Sequence, residues 1–167
     1  MELWDAYDDR LRPIEGVTLV RGEPVPEGMF HLVCEVAVRR REGNWLLMKR
    51  APEKPLGGLW ELTAGGAAQQ GEDPLTAACR ELREETGLSG EMIPLGHILH
   101  RGWRTWFVEY LCICDGPREA VSLQPGETVD FRWVSEAELR SMPQEALATT
   151  RMGAFLWREG RVPHRIV

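Results

Sequence analysis

The segment from Asp73 to Gly87 constrains the fold most, because it carries both ends of one helix in its own residues. Asp73 is a good N-cap: its side chain can accept from the first free backbone N–H groups. Pro74 suits the first helical position, where no N–H is needed. Leu75, Ala78 and Leu82 recur at helical spacing. Gly87 is a natural stop, since glycine tolerates the left-handed conformation that ends many helices. Glu81, Glu84 and Glu85 stand at i, i+3 and i+4 and therefore project from one face. Like charges so spaced cost a helix a few tenths of a kcal/mol per pair. Such a run is either a solvated face or a site for something positive.

Around this helix the chain reads mainly as strands. Phe30 to Val38 is apolar and rich in β-branched residues, the pattern of a buried strand. Glu42-Gly43-Asn44 is a turn and Trp45 to Lys49 a second strand, which together predict a hairpin. A short strand is expected at Leu59 to Thr63, with others at Met92 to His100, Thr105 to Cys114 and Thr128 to Val134. Ser135 with Glu138 forms a capping box for a helix through Arg140, and Glu145 to Trp157 reads as a final helix. Residues 10 to 29, rich in Pro, Gly and charge, read as an irregular lead-in. Strands around one central helix, with more helix at the end, predict an α+β or α/β sandwich.

The chain has 167 residues, enough for one domain with a real core. No stretch of about 18 apolar residues exists, so no membrane span is expected. Met1 to Arg10 has no apolar run of the kind a secretory signal needs. The net charge of −6 argues against a nucleic-acid backbone as the main partner. It also sits oddly with an anionic substrate, unless a divalent cation intervenes. Cys34, Cys79, Cys112 and Cys114 form no C-x-x-C pair, and buried free thiols in a reducing cytoplasm are the expected reading. Seven tryptophans are many for this length. They read as packing, with a stacking platform for a nucleobase as the alternative for one or two.

The acidic face has a setting. Arg80 stands four residues before Glu84 and can hold a carboxylate in one rotamer. Glu72 lies just before the helix and reaches Arg80 if the preceding loop folds back. Hard cations such as Mg²⁺ take a few carboxylates, several waters and substrate phosphates. Gly66, Glu72, Arg80-Glu81-Leu82, Glu84-Glu85 and Gly87-Leu88 together match every fixed position of the Nudix box. Leu59-Trp60-Glu61-Leu62 before Gly65-Gly66 resembles the strand that precedes that box. Val129 to Ser135 resembles the family's late strand and helix start.

On these residues the chain resembles the Nudix hydrolases over residues 30–157, with a lead-in at 1–29 and a tail at 158–167. The resemblance implies an α+β fold, an α/β/α sandwich with a mixed sheet and a loop–helix–loop box. It implies Mg²⁺ or Mn²⁺ on Glu81, Glu84 and Glu85 with the Gly66 carbonyl as a further ligand, while Arg80 and Glu72 orient the carboxylates. Water would attack a phosphorus of a small-molecule diphosphate, as in a pyrophosphatase acting on a nucleotide derivative. The ions would neutralise charge on the leaving and bridging oxygens. The proton acceptor would be a glutamate of the box helix or one in a late loop, where Glu127 is the candidate and Glu109 and Glu119 come after it. A homodimer follows by family analogy, and a cytoplasmic location is expected.

Three features qualify the resemblance. Ala64 stands where a proline often precedes the paired glycines. Trp4-Asp5, Tyr7-Asp8, His31 and Lys49-Arg50-Ala51-Pro52 resemble the branch related to isopentenyl-diphosphate isomerase. That isomerase uses a cysteine in the segment matching Glu61 to Ala67, and none is there, so isomerase is the runner-up. A protein that binds a nucleotide without cutting it is the third reading, although such proteins usually lose carboxylates that this box keeps.

Overall fold

A computed structural model describes residues 1–148. Nine strands and two α-helices follow in order: β1 (Leu3–Tyr7), β2 (Pro13–Val20), β3 (His31–Arg40), β4 (Trp45–Arg50), β5 (Trp60–Glu61), β6 (Thr63–Ala67), α1 (Pro74–Thr86), β7 (Glu91–His100), β8 (Thr105–Cys114), β9 (Thr128–Val134) and α2 (Glu136–Ser141). β1 and β2 form a small antiparallel sheet of their own. The other seven strands form one mixed sheet, in which β3 runs parallel to β8 and antiparallel to β6.

Strand β3 organises the layers because its alternate residues face opposite ways. Leu32, Cys34, Val36 and Val38 join Ala77, Ala78 and Leu82 of α1 in the main core. Ala37 looks the other way, into a second cluster with Trp45, Leu47, Leu62 and Leu139 of α2. One helix thus covers each face of the sheet, giving the α/β/α sandwich of an α+β fold. Each fully buried Leu or Val contributes roughly 1.5–3 kcal/mol, so these two faces carry much of the stability.

Four expectations are corrected or narrowed. The lead-in at 10–29 is not wholly irregular: Pro13–Val20 is a strand that pairs with Leu3–Tyr7. Pro13 is tolerated as its first residue, and Leu19 joins Trp4 and Ala6 in a separate apolar cluster. The expected strand Leu59–Thr63 is two strands that part at Leu62. Trp60 and Glu61 pair with β4, whereas Thr63 onwards pairs with β3. For the same reason the expected hairpin holds by only one pair, Arg39 with Trp45: β8 and β6 already occupy the two edges of β3. The start of the expected last helix is a 3₁₀ turn at Gln144–Ala146, followed by extended Leu147 bridging to Trp60. The rest of that segment, with Trp157 and the tail 158–167, lies outside the described residues. Among the described residues, no helix is long and apolar enough to cross a membrane.

The splaying of β3 from β4 positions the site. It leaves a crevice walled by Glu35 of β3, Arg50 of β4, Glu61 of β5, and Thr63 and Gly65 of β6.

Candidate active site

Helix α1 is fixed at both ends as its sequence requires. Asp73 Oδ1 accepts from the Leu75 and Thr76 N–H groups at 3.0 and 3.1 Å, and Gly87 ends the helix with φ of 71°. Ala77, Ala78, Leu82 and Thr86 are buried, which sets the rotation of the helix and turns Glu81, Glu84 and Glu85 towards a cavity of about 400 Å³. Gly66 and Arg80 line the same cavity.

Arg80 locks the preceding loop to the helix. Its Nε and Nη2 donate to the two carboxylate oxygens of Glu72, both at 2.8 Å. Nη1 donates to Glu81 at 2.7 Å and to Glu84 at 3.3 Å, and Nη2 also reaches the Ala67 carbonyl at 3.1 Å. The loop does fold back, and Glu72 meets Arg80. The Arg80 hydrogen bonds hold the Glu72 carboxyl below its usual range. The Glu72 bond in turn keeps Arg80 firmly protonated.

The two glycines before the loop allow close approach. A side chain at Gly65 would collide with the Cys34 carbonyl across the β3–β6 pair. A Cβ at Gly66 would fall 2.6 Å from Glu81 Oε1, so glycine there makes the cradle in which the Glu81 carboxylate rests. Burial raises the Glu81 pKa. Glu85 is pushed up to about 8, first by burial and then by the charges of Glu61 and Glu81. The Gly65 N–H donates to Glu85 Oε2 at 3.3 Å. Crowded, desolvated carboxylates beside a glycine cradle fit the donor set of a hard cation. Among the described residues no three such side chains converge into a ready-made coordination shell, and Arg80 draws both Glu81 and Glu84. A cation placed there would have to compete with that guanidinium.

Glu127 is brought to the same place from far along the chain. Its loop hangs on the end of α1: Ser122 N–H donates to the Thr86 carbonyl at 2.8 Å, and Gln124 N–H to that of Glu85 at 3.3 Å. Glu127 forms an ion pair with Lys54. Both line the main cavity and a second of about 290 Å³, which also share Gly65 and Glu85. Glu109 is buried on β8 opposite Glu35, and neither it nor the exposed Glu119 lines either cavity. His31 does line the main cavity, stacked on Trp4 with ring centroids 4.4 Å apart and bonded to Thr105 Oγ1 at 2.8 Å. Burial lowers its pKa to about 4.

Sequence reasoning missed Glu35, Arg50, Lys54 and Glu61, all in the second cavity. Arg50 and Glu61 form a half-buried pair at 2.5 Å. One signal was present: Glu35 is the only acid inside the apolar run from Phe30 to Val38, and a buried charge needs a reason.

The family model described as the NUDIX domain matches residues 29–155. This chain belongs to the Nudix family. An uncharacterized Nudix hydrolase of Listeria monocytogenes is 33% identical over 148 residues, covering 85% of each chain. The Nudix hydrolase YfcD of Escherichia coli is 27% identical, covering 76% of this chain and 71% of its own. Among solved structures, DR0079 of Deinococcus radiodurans aligns over 84% of this chain and 87% of its own with a TM-score of 0.67 at 20% identity, which shows a shared fold. The NUDIX domain of Shewanella oneidensis NrtR, crystallised with ADP-ribose, aligns over 68% and 78% with a TM-score of 0.56 at 20% identity. The protein is thus a Nudix hydrolase, from a family that acts on nucleoside diphosphate derivatives and generally uses divalent metals.

Proposed function

We propose that this Nudix hydrolase cleaves a diphosphate linkage in a small molecule by attack of water on phosphorus. The observation that carries the reading is the convergence of Glu81, Glu84, Glu85 and Glu127 on one cavity around Gly66, with Arg80 and Glu72 braced behind it. Glu81, Glu84, Glu85 and the Gly66 carbonyl would hold Mg²⁺ or Mn²⁺. When bound, the ion supplies positive charge to the phosphoryl oxygens. Lys54 and Arg50, at the junction of the two cavities and in the second, are placed to hold the substrate's phosphates. Glu127 lies outside the ligand set and is the candidate to take the water's proton on its carboxylate. An undiminished kcat in Glu127→Gln would return that role to the box helix.

Cys34 is unsuited to isomerase chemistry. It is fully buried, its Sγ lies 3.2 Å from the Pro74 carbonyl, and burial pushes its pKa up to about 12. The amino-terminal pattern still leads us to place the chain beside the isomerase-related branch, as a hydrolase. A cytoplasmic location, a homodimer and the absence of a stable nucleic-acid partner complete the reading. The test is release of phosphate or nucleotide across a panel of nucleotide sugars, dinucleotides, nucleoside triphosphates and prenyl diphosphates. Turnover should vanish in EDTA and return with Mg²⁺ or Mn²⁺. Full activity in EDTA, or none on any member, would overturn the proposal.

A further inference from the structure

The hairpin of β1 and β2 forms part of the main cavity's wall. It precedes residue 29, where the match to the NUDIX domain begins, yet it is bound to the loop that leads into α1. The Gln70 N–H donates to the Leu3 carbonyl and the Gly71 N–H to Asp5 Oδ2, both at 2.8 Å. Gln70 Nε2 donates to Thr18 Oγ1 at 2.8 Å, and Ala67 packs on the apolar cluster of Trp4, Ala6 and Leu19. So seated, the hairpin brings Glu2, Trp4 and Arg21 into the lining of the cavity that Glu81 and Glu84 also line.

Arg21 is held from behind. Val20, the last residue of β2, pairs with Leu3, which sets Arg21 level with Glu2. The Arg21 N–H donates to the Glu2 carbonyl at 3.0 Å, and its Nη1 donates to Glu2 Oε2 at 2.6 Å. Glu2 Oε1 accepts from Trp4 Nε1 at 2.7 Å. Trp4 is buried and stacked on His31, so the carboxylate that steers Arg21 is itself anchored to the core. A guanidinium oriented in advance loses little freedom when it takes an anion.

Among the described residues, Arg21, Lys54 and Arg80 are the cations that line this cavity. Arg80 spends Nε, Nη1 and Nη2 on Glu72, Glu81, Glu84 and the Ala67 carbonyl, which accounts for every N–H of a guanidinium. Lys54 is paired with Glu127. Arg21 spends only Nη1 on a side chain, and its Nε and Nη2 have no partner among the described residues. Its side chain is 66% exposed, so the pair with Glu2 adds little stability and does not account for an arginine there. Free guanidinium N–H groups suit phosphate oxygens. The carboxylates of Glu2, Glu81, Glu84, Glu85 and Glu127 line the same cavity and oppose any added negative charge. A terminal phosphate has one more open oxygen than an internal one and carries more charge. Its entry therefore depends on the cation with donors to spare. We infer that Arg21 is a specificity-determining residue that takes a free terminal phosphate, so that the preferred substrate is a diphosphate with one unsubstituted end. Nucleoside triphosphates and prenyl diphosphates are then favoured over nucleotide sugars and dinucleotides. The inference rests on the hydrolase reading for the reaction, but not for the anion contact.

The test pairs two probes with the same nucleoside. ADP ends in a free phosphate, whereas both phosphates of ADP-ribose are substituted. With Mg²⁺, the unaltered protein should prefer ADP. In Arg21→Ala that preference, as a ratio of kcat/KM values, should fall about 10- to 100-fold, through KM rather than kcat, as loss of a charged hydrogen-bond partner requires. Arg21→Lys, which keeps the charge without the fork, should recover part of it. Arg12→Ala, in the turn of the same hairpin and lining neither cavity, should change nothing. Binding without turnover is read by calorimetry with methylenediphosphonate, whose P–C–P bridge resists hydrolysis, and its affinity should fall by the same factor in Arg21→Ala. The inference is overturned by a methylenediphosphonate affinity that Arg21→Ala changes less than threefold. Equal losses for ADP and ADP-ribose, a preference for ADP-ribose in the unaltered protein, or the same losses in Arg12→Ala would overturn it too. Absence of turnover across the whole substrate panel, with Arg21-dependent binding of methylenediphosphonate intact, would sink the hydrolase reading and leave the anion contact standing.

Discussion

The two faces of α1 have opposite tasks. Ala77, Ala78 and Leu82 are at most 1% exposed and seat the helix on the sheet. Glu81, Glu84 and Glu85 add little to that seat beyond the Gly65 N–H bond to Glu85, and their mutual repulsion works against it. What makes the acidic face tolerable is Arg80, which touches two of the three and is itself held by Glu72. The difference shows that stability and chemistry can sit on one helix without sharing residues, so each can be removed alone.

The largest expected effect is on chemistry. Glu84→Gln keeps the side chain's shape and removes its charge. If Glu84 holds the cation, the rate at saturating Mg²⁺ falls at least ~10³-fold, about 4 kcal/mol of barrier. The melting temperature of metal-free protein should hold or rise slightly. One like-charge repulsion is gone, and the ion pair to Arg80 that goes with it is half-exposed and 3.3 Å long. A folded variant with near-normal turnover would show the acidic face to be merely solvated. The opposite face answers to the opposite measurement. Leu82→Ala empties space in the main core and should cost about 2–5 kcal/mol in denaturant unfolding. Its kcat, measured where the protein remains folded, should stay within about threefold. A matching collapse of kcat would mean that the two faces are coupled. The smallest change is expected of Cys34→Ala, which lies in the core beneath the site. Hydrolysis should remain within about tenfold and stability should fall modestly, because a buried cysteine acts as a small hydrophobe. Complete loss of activity in a folded Cys34→Ala protein would revive the isomerase reading.

What could be read in advance followed the range of the interaction that decides it. Helix α1 was legible to the residue, because Asp73, Pro74 and Gly87 act through neighbours a few positions away. The capping box of Ser135 and Glu138 was legible for the same reason. The break at Leu62 was not, since nothing in Trp60 to Ala67 tells which neighbouring strand each half will choose. The strand Pro13–Val20 was hidden by turn-forming residues, and its partner lies before it in an acidic stretch. In the site, the box brought Gly66, Glu72, Arg80 and the three glutamates into view together. Lys54 and Arg50 were missed because β4 and the loop after it reach the crevice only through sheet geometry.

The parallel pairing of β3 with β8 has a consequence for how the molecule is made. His31 and Thr105, which begin that pairing, are 74 positions apart in the chain. The contacts of β3 with β6 and α1 close shorter loops and are entropically cheaper to form first. As the chain leaves the ribosome, the portion bearing the acidic helix can therefore assemble while one edge of β3 is still bare. An apolar strand with an open edge is a template for other chains until β8 arrives. Long-range parallel pairing of this kind places folding towards the slower end of the range for domains of this size.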